Sequence, residues 1–217
     1  MHTDIVCLHV YLLSGAIDVP IVNKKLSKEF YLREDTLAVA RSLIGKLIVV
    51  PEGRRRVSAM IVETEAYLGE TDKAAHSFGG RRTKRTEVMY AAGGTVYVFF
   101  VYGMYHQLNV VTGPADHPHA ILLRAAEPVE GVNIIRERRG KMPDKNLTSG
   151  PGKLCIALGV DKRFNGESFR GKRIWLEDFR EFADGDIITG PRVGIAYAEE
   201  FTEMPWRFWL KDNPFVS

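Results

Sequence analysis

The chain has 217 residues, of which 45% are hydrophobic and 26% charged, and these globular values exclude a disordered chain or an integral membrane protein. Its 30 basic and 27 acidic residues give a net charge of only +3, which is compatible with an anionic partner without requiring one. The only cysteines, Cys7 and Cys155, form no CxxC pair. Neither a disulfide framework nor a thiolate zinc site is indicated, and a reducing, intracellular setting follows.

The N-terminal segment, residues 1–25, is predicted to be a variable extension. Its apolar run VCLHVYLLSGAI is too short to span a bilayer, and Asp4 stands where a secretion signal would carry positive charge. No Pro/Ser-rich linker divides the remainder. We therefore expect one compact domain over residues 26–217, with no membrane partner.

Hydrophobic periodicity predicts the first elements of this domain. The stretch DTLAVARSLIGK has cap candidates at Asp35 and Thr36 and a stop at Gly45, which predicts a helix. KLIVV and VSAMIVET flank a turn with Pro and Gly, which predicts a β-hairpin. GGTVYVFFVYGMYHQLNVV predicts a second hairpin, with Tyr102 near its tip.

The later elements alternate between strands and helices. Strands are predicted in AILLRAAE, KRIWLED and PRVGIAYA, and helices in PVEGVNIIRERRGK and GPGKLCIALG. Strands that follow one another through tight loops pair antiparallel, because parallel strands need long crossovers. The predicted fold class is α+β: a single mixed domain with a curved, mainly antiparallel sheet, surrounding helices and a protruding β-hairpin.

Two carboxylates, Glu63 and Glu65, lie two residues apart on a predicted strand, so both can face the same side. Paired carboxylates can divide acid and base roles, and glycosidic-bond hydrolysis uses them in this way. On spacing alone, a Glu-Thr-Glu run at a strand end is more typical of a solvated surface. The nearby Tyr67 and His76, followed by a cluster of cations, favour a functional site.

The cationic cluster is interleaved with Ser and Thr and comprises Arg81, Arg82, Lys84 and Arg85. Such a run is usually a solvated loop, but it also suits a phosphate backbone, whose counterions it would release. An exposed Tyr102 could enter a duplex and unstack bases, although such an aromatic is more often in a core.

Two further segments carry residues that can bind a phosphate or a metal ion. SGPGKL lacks the spacing of a phosphate loop, but Ser149, Lys153 and the free amides of a helix start could hold one phosphate. The histidines His76, His106, His117 and His119 include a DHPH segment, but no HExxH helix accompanies it, so no metal site is expected.

Several motifs together resemble the alkyladenine (3-methyladenine) DNA glycosylase family, from about Tyr31 to the C terminus. They are ARSLIGKLIVV, VETEAYLGETDKAAHSFGGRRTKR, GTVYVFFVYGMYHQLN, ILLRAAEPVEG, LTSGPGKLC and RVGI, in that order. The resemblance implies a monofunctional base-excision repair enzyme without metal or redox cofactor. It would release alkylated or deaminated purines from double-stranded DNA, namely 3-methyladenine, 7-methylguanine, hypoxanthine and ethenoadenine, and leave an abasic site.

The resemblance also implies roles for individual residues. Glu65 would be the general base that activates water for attack at C1′, with Arg124 and the backbone carbonyl of Val193 holding that water. Tyr67, His76 and Phe99 would wall the base pocket, and Asn109 would exclude guanine. Tyr102 and Met104 would enter the duplex. The family often has Tyr at the position of Phe99, so a hydroxyl hydrogen bond is lost there while stacking is kept.

The expected protein is a monomer, cytoplasmic, and associated with the nucleoid in a bacterium or located in the nucleus of a eukaryote. Two alternatives remain open on sequence. One is a nucleic-acid-binding module without catalysis, in which the two carboxylates are surface charges. The other is a transferase acting on a nucleic acid or a small substrate.

Overall fold

The computed structural model describes residues 24–217, and their elements confirm the α+β class. The helices are α1 (Lys28–Tyr31), α2 (Thr36–Ser42), α3 (Val132–Arg139) and α4 (Pro151–Leu158). The strands are β1 (Leu47–Glu52), β2 (Arg55–Tyr67), β3 (Val96–Val101), β4 (Tyr105–Thr112), β5 (His119–Glu130), β6 (Trp175–Glu177), β7 (Ile187–Gly190) and β8 (Arg207–Leu210). Short 3₁₀ turns connect them, including Gly69–Thr71, Phe78–Gly80 and Glu87–Tyr90.

The strands form one sheet in the order β3-β4-β5-β2-β1-β6, and β8 pairs with both β2 and β7. Every strand pair within residues 24–217 is antiparallel, as the tight connections predict. The 13-residue β2 lies at the centre: β5 covers one edge, while β1 and then β8 cover the other. Its register with β5 shifts on both sides of Glu63, and a bulge of this kind bends a strand and re-aims its side chains.

Local sequence explains why the elements begin and end where they do. The Asp35 carboxylate caps α2 by accepting a hydrogen bond from the Ala38 amide at 2.9 Å. Gly45 follows with φ +87°, and a side chain there would collide with the Arg180 carbonyl. The helix ends at Ser42, and the predicted stop, Gly45, lies in the turn that follows it. Its Ala40 carbonyl accepts a hydrogen bond from the Thr64 hydroxyl at 3.0 Å, which fixes α2 against β2.

The sequence prediction was wrong in three places. PRVGIAYA is not a strand, because Pro191 has no amide to donate and Gly194 has φ +76°. The helix predicted from Pro128 begins only at Val132, since residues 128–130 continue β5. Helix α1 and strands β7 and β8 were not predicted.

The predicted extension, residues 1–25, lies outside the described residues except for Lys24 and Lys25. Lys25 forms an isolated bridge with Glu177 and donates to the Gly171 carbonyl at 2.6 Å. In the part of the chain that the structure describes, no helix is both long and apolar enough to cross a bilayer.

Candidate active site

A cavity of about 340 Å³ opens beside the β3–β4 hairpin, above β2 and β5. Its volume is within the range of small-molecule sites, which are typically apolar with a few convergent polar groups. The predicted site residues that line it are Tyr67, His76, Phe99, Tyr102, Asn109, Arg124 and Val193. Residues far apart in the chain, from β2, β3, β4, β5 and the loop after β7, are thus brought to one place.

Glu65 lies behind this lining, and its side chain is completely buried. Its Oε1 accepts a hydrogen bond from the Val193 amide at 2.7 Å. Its Oε2 accepts one from the Tyr67 hydroxyl at 2.9 Å and faces Arg124 Nη1 at 3.3 Å. A carboxylate has about four lone-pair sites, two on each oxygen. Oε2 therefore faces one hydroxyl donor and one cation, whereas among residues 24–217 Oε1 has a single donor, the Val193 amide, and keeps one lone-pair site.

Glu63 faces the same arginine, as the two-residue spacing predicts, but it is also completely buried. Its Oε1 accepts from Arg124 Nε at 2.9 Å and from Arg207 Nε at 2.7 Å, and its Oε2 accepts from the Ser217 amide at 2.7 Å. The solvated surface that spacing alone would favour is therefore not what the structure has. The two carboxylates have different surroundings: Glu65 contacts three residues that line the cavity, Tyr67, Val193 and Arg124, whereas Glu63 contacts Arg124 alone among the lining residues.

Arg124 joins the two carboxylates. Burial acts to lower the pKa of its guanidinium, but the charges of Glu65 and Glu63 outweigh it and raise that pKa. Burial, together with the Glu65 carboxylate, raises the pKa of the Tyr67 hydroxyl well above its ordinary value. Tyr67 therefore stays protonated and donates a hydrogen bond to Glu65, and Arg124 keeps its positive charge.

His76 and Phe99 meet edge to face, with ring centroids 4.5 Å apart and planes at 82°. Burial first, and then the charges of Arg85 and Arg81, lower the pKa of His76 to about 4, so the imidazole is neutral at pH 7. Its Nδ1 lies 2.9 Å from the Tyr97 hydroxyl, and its Nε2 lies 3.4 Å from Arg85 Nη2. Because a guanidinium only donates, Nε2 is the acceptor and Nδ1 carries the proton.

Tyr97 was missed by the sequence analysis. It is buried, lines the cavity and lies 5.4 Å from Phe99, ring to ring. The signal was present: alternate residues of a strand share a face, so a β3 strand that directs Phe99 into a site also directs Tyr97 there.

Asn109 is buried at the cavity wall and pairs across the hairpin with Tyr97. Its Nδ2 donates to the Tyr97 carbonyl at 3.2 Å and to the Gln107 carbonyl at 3.4 Å. The side chain thus both lines the cavity and closes the hairpin through backbone hydrogen bonds. These bonds fix its position with little freedom to move aside.

The hairpin tip is exposed as predicted. Tyr102 is 80% exposed and Met104 63%, so the alternative of a core aromatic does not hold for Tyr102. Tyr102 has φ +54° and Gly103 has φ +69°, the left-handed conformations of a tight turn. An aromatic ring is therefore held in solvent at the mouth of the cavity.

The cationic cluster is divided by its contacts. Arg82 makes a two-bond pair with Glu87, at 2.8 and 3.1 Å, and pairs with Asp116 at 2.8 Å. Arg85 lies over the Phe99 ring, 5.1 Å from its centroid. For Arg81 and Lys84, no side-chain ion pair occurs among residues 24–217, and both are exposed. These two side chains are the most available to an external anion.

At the start of α4, Lys153 Nζ lies 3.4 Å from the Ser149 hydroxyl. A side chain at Gly152 would collide with the Tyr105 ring, so this helix start lies against the β3–β4 hairpin. Pro151, the first residue of α4, lines the cavity. Ser149 and Lys153 each lie two residues from Pro151, which lines the same cavity as Tyr102.

The histidines considered as metal ligands have other partners or neighbours. His119 Nδ1 lies 2.9 Å from the Thr36 hydroxyl, and the rings of His117 and His119 are 6.5 Å apart. Across residues 24–217, no group of three or more His, Cys, Asp or Glu side chains is arranged to hold a metal ion.

An aromatic-walled cavity with a buried carboxylate beneath it and an exposed aromatic at its mouth suits a ligand that presents a flat aromatic group. Comparison with known proteins identifies the class. The model of the methylpurine-DNA glycosylase family matches residues 29–214. The chain belongs to this family and is a DNA glycosylase, a hydrolase of DNA repair.

Bacterial relatives agree. A protein of Desulfitobacterium hafniense (strain Y51) is 50% identical over 203 residues, which cover 89% of this chain and 98% of the relative. Proteins of Clostridium novyi (strain NT) and Bacillus cereus (strain G9842) are 46% and 49% identical, over 89% and 84% of this chain and 98% and 94% of their own lengths. All three are named "Putative 3-methyladenine DNA glycosylase". The predicted family is confirmed.

Proposed function

We propose that the protein releases alkylated and deaminated purines from double-stranded DNA by base flipping and Glu65-activated water, and leaves an abasic site. The substrates are 3-methyladenine, 7-methylguanine, hypoxanthine and ethenoadenine, and the names of the relatives support the first of them. The protein acts without a cofactor, as a monomer, in the compartment that holds the chromosome: at the nucleoid of a bacterium or in the nucleus of a eukaryote.

The base must leave the duplex before it can be hydrolysed, because its glycosidic bond is unreachable inside the stack. Flipping costs a few kcal/mol and is cheapest at damaged or mismatched pairs. Tyr102, 80% exposed at the hairpin tip, fills the gap left by the flipped nucleotide, with Met104 beside it. A wedge of this kind kinks the duplex and holds the extrahelical state.

Tyr67, His76 and Phe99 then enclose the flipped base. An alkylated purine carries positive charge and is attracted to the aromatic faces. Because the pKa of His76 is lowered to about 4, the imidazole adds no opposing charge at neutral pH. Phe99 has no hydroxyl, so it contributes stacking alone.

Hydrolysis proceeds through the buried carboxylate, and this is the observation that carries the proposal. Among the described residues, Glu65 Oε1 accepts from the Val193 amide alone, and its second lone pair accepts a proton from water. The water oxygen bonds to the sugar C1′ while the C1′–N bond breaks and its electron pair leaves with the purine. Arg124 and the Val193 carbonyl hold the water, and general-base catalysis of this kind is worth about 10²- to 10⁴-fold.

Asn109 provides selectivity against guanine. Stacking alone accepts any purine, so discrimination needs a repulsive element. The side chain is buried at the cavity wall and held by two carbonyls, so it cannot swing away from the exocyclic 2-amino group of guanine. Hypoxanthine and adenine derivatives lack that group and fit. 7-Methylguanine carries it, so the positive charge of its ring, which strengthens stacking and weakens the glycosidic bond, must offset the crowding.

The DNA backbone is bound by five cationic side chains and one hydroxyl. The cations are Arg81, Arg82, Lys84, Arg85 and Lys153, and the hydroxyl is that of Ser149. Arg81 and Lys84 contribute most, since their side chains are exposed and have no ion pair within the described residues. Arg82 contributes less, because binding a phosphate would compete with Glu87 and Asp116.

Duplexes carrying one of the four lesions test the activity directly. The purified protein is incubated with each duplex and with an undamaged control, and the products are separated before and after heating in alkali. The expected result is strand breakage at the lesion only after alkali, which marks an intact abasic site. Absence of abasic sites on every lesion would reject the proposal, and breakage without alkali would reject the monofunctional mechanism.

A further inference from the structure

A completely buried ion pair lies behind the proposed catalytic centre. Arg192 Nη1 and Nη2 meet the two Asp72 carboxylate oxygens at 2.5 and 2.9 Å, and both side chains have no solvent exposure. A buried pair is seldom more stabilising than well-packed apolar side chains of the same volume. Its geometry is therefore more informative than its contribution to stability.

The Arg192 guanidinium is clamped between two aromatic rings. It lies 4.7 Å from the centroid of Tyr67 and 4.8 Å from that of Trp206. Its Nη1 also donates to the Ala66 carbonyl at 2.9 Å. Ala66 is the residue between Glu65 and Tyr67, so this one side chain fixes both the end of β2 and the rear face of a cavity wall.

Two of the three donors around Glu65 are connected to Arg192. The Val193 amide, which donates to Oε1 at 2.7 Å, belongs to the next residue in the chain. The Tyr67 hydroxyl, which donates to Oε2 at 2.9 Å, belongs to the ring that stacks on the guanidinium. The third donor, Arg124, is anchored separately by Glu63.

Asp72 extends the same arrangement to the loop after β2. Its Oδ2 accepts from the Leu68 amide and its Oδ1 from the Ala74 amide, each at 3.0 Å. This loop leads from Tyr67 to His76, which both line the cavity. The Asp72 carboxylate therefore connects these two walls of the cavity. Neither Arg192 nor Asp72 lines the cavity, but each contacts a residue that does, Tyr67 and Ala74 respectively.

We propose that Arg192 and Asp72 are positioning residues that set the Val193 amide and the Tyr67 hydroxyl on the Glu65 carboxylate. The inference rests on the proposed role of Glu65 as general base. A carboxylate held by all its donors keeps the free lone pair of Oε1 aimed at the water. A misplacement of about 1 Å can cost about 10²-fold in rate, so loss of the pair affects the chemical step more than DNA binding.

The test uses Arg192→Met, which keeps the length of the side chain but removes its charge and donors, and Arg192→Lys, which restores the charge without the planar, two-bond geometry. The matched control is Arg56→Met, which breaks pairs with Glu130 and Glu177 away from the cavity. Two quantities are measured: the single-turnover rate on a hypoxanthine duplex with enzyme in excess, and the Kd for a duplex carrying a tetrahydrofuran abasic analogue.

Arg192→Met is expected to lose about 10- to 100-fold in single-turnover rate while its Kd stays within about threefold of wild type. Arg192→Lys should recover part of the lost rate, and Arg56→Met should keep the wild-type rate. Arg192→Met leaves the buried Asp72 carboxylate without its cation, so the neutral double variant Arg192→Met/Asp72→Asn is measured as well. Each variant is assayed well below its own thermal midpoint of unfolding. The double variant should show the same loss of rate.

A folded double variant, or Arg192→Lys, that excises hypoxanthine at the wild-type rate would overturn the positioning role and leave the proposed function standing. Losses of rate that are matched by equal losses of affinity would also overturn it, since they indicate general disruption. If wild-type protein releases no base from any lesion duplex, the proposed function fails first, and the two failures are thereby distinguished.

Discussion

Acid should destabilise the protein through His76. Burial and the charges of Arg85 and Arg81 lower the pKa of this imidazole from 6.5 to about 4. At a pH between these two pKa values, His76 is mainly protonated in the unfolded chain and mainly neutral in the folded protein. Stability from the neutral imidazole is therefore fully present above pH 6.5 and is lost as the pH falls through 4.

The size of the loss follows from the two pKa values. At pH 4.5, an unfolded His76 is nearly fully protonated, whereas the folded one is mostly neutral. By linkage this difference lowers the free energy of unfolding by about 2.5 kcal/mol relative to pH 7. His76→Gln removes the titrating group, so its free energy of unfolding should fall by about 2.5 kcal/mol less over the same interval.

Urea denaturation at pH 7.0 and pH 4.5 measures this difference. Comparing each protein with itself cancels effects of the substitution that do not depend on pH, and all other titrating groups are shared. Tyr97→Phe is the control, because it removes the hydroxyl beside Nδ1 but keeps the imidazole, so it should lose as much stability as wild type. If His76→Gln also loses as much as wild type, the imidazole is not held neutral by its surroundings.

Three further predictions concern DNA. Tyr102→Ala should slow excision from duplexes while leaving the salt dependence of binding intact. Phe100 is another exposed aromatic residue of the hairpin, and Phe100→Ala should have little effect, so equal excision rates for the two variants would reject the role of Tyr102 as a wedge. Arg81→Ala should reduce the slope of log Kd against log salt by about 1, and Arg82→Ala by less, because of its carboxylate partners; the reverse order would contradict the assignment. Asn109→Ser should release mispaired guanine faster while hypoxanthine excision persists, and a folded variant without this gain would leave Asn109 purely structural.

Long elements of the fold could be predicted from the sequence, and short ones could not. Long runs of β-branched and aromatic residues around Gly-containing turns predict the β1–β2 and β3–β4 hairpins. Strands β7 and β8 have four residues each, too few for a periodic signal in the sequence. Strand β8 is defined by its pairing with β2, which is distant in the sequence. RVGI contains strand-forming residues, but Pro191 and Gly194 on either side of Val193 prevent a ladder.

The site was predictable as a set of residues more than as a set of contacts. The resemblance to a family named residues that the fold does bring to one cavity. Burial of Glu63 and Glu65 could not be read from their spacing, because the arginines that neutralise them come from β5 and β8. The same limit hid the Arg192–Asp72 pair, whose members are 120 positions apart.

The role of Glu65 is tested most directly by the single-turnover rate of Glu65→Gln on a hypoxanthine duplex, with Glu63→Gln as the matched control. The amide keeps the shape of the side chain and much of its hydrogen bonding but cannot take a proton from water. Glu65→Gln should bind the duplex like wild type and release the base about 10²- to 10⁴-fold more slowly, while Glu63→Gln, whose carboxylate holds Arg124 and Arg207, should lose less. Excision by Glu65→Gln within a factor of a few of wild type would contradict the account and move the catalytic base elsewhere, with Glu63 the first candidate.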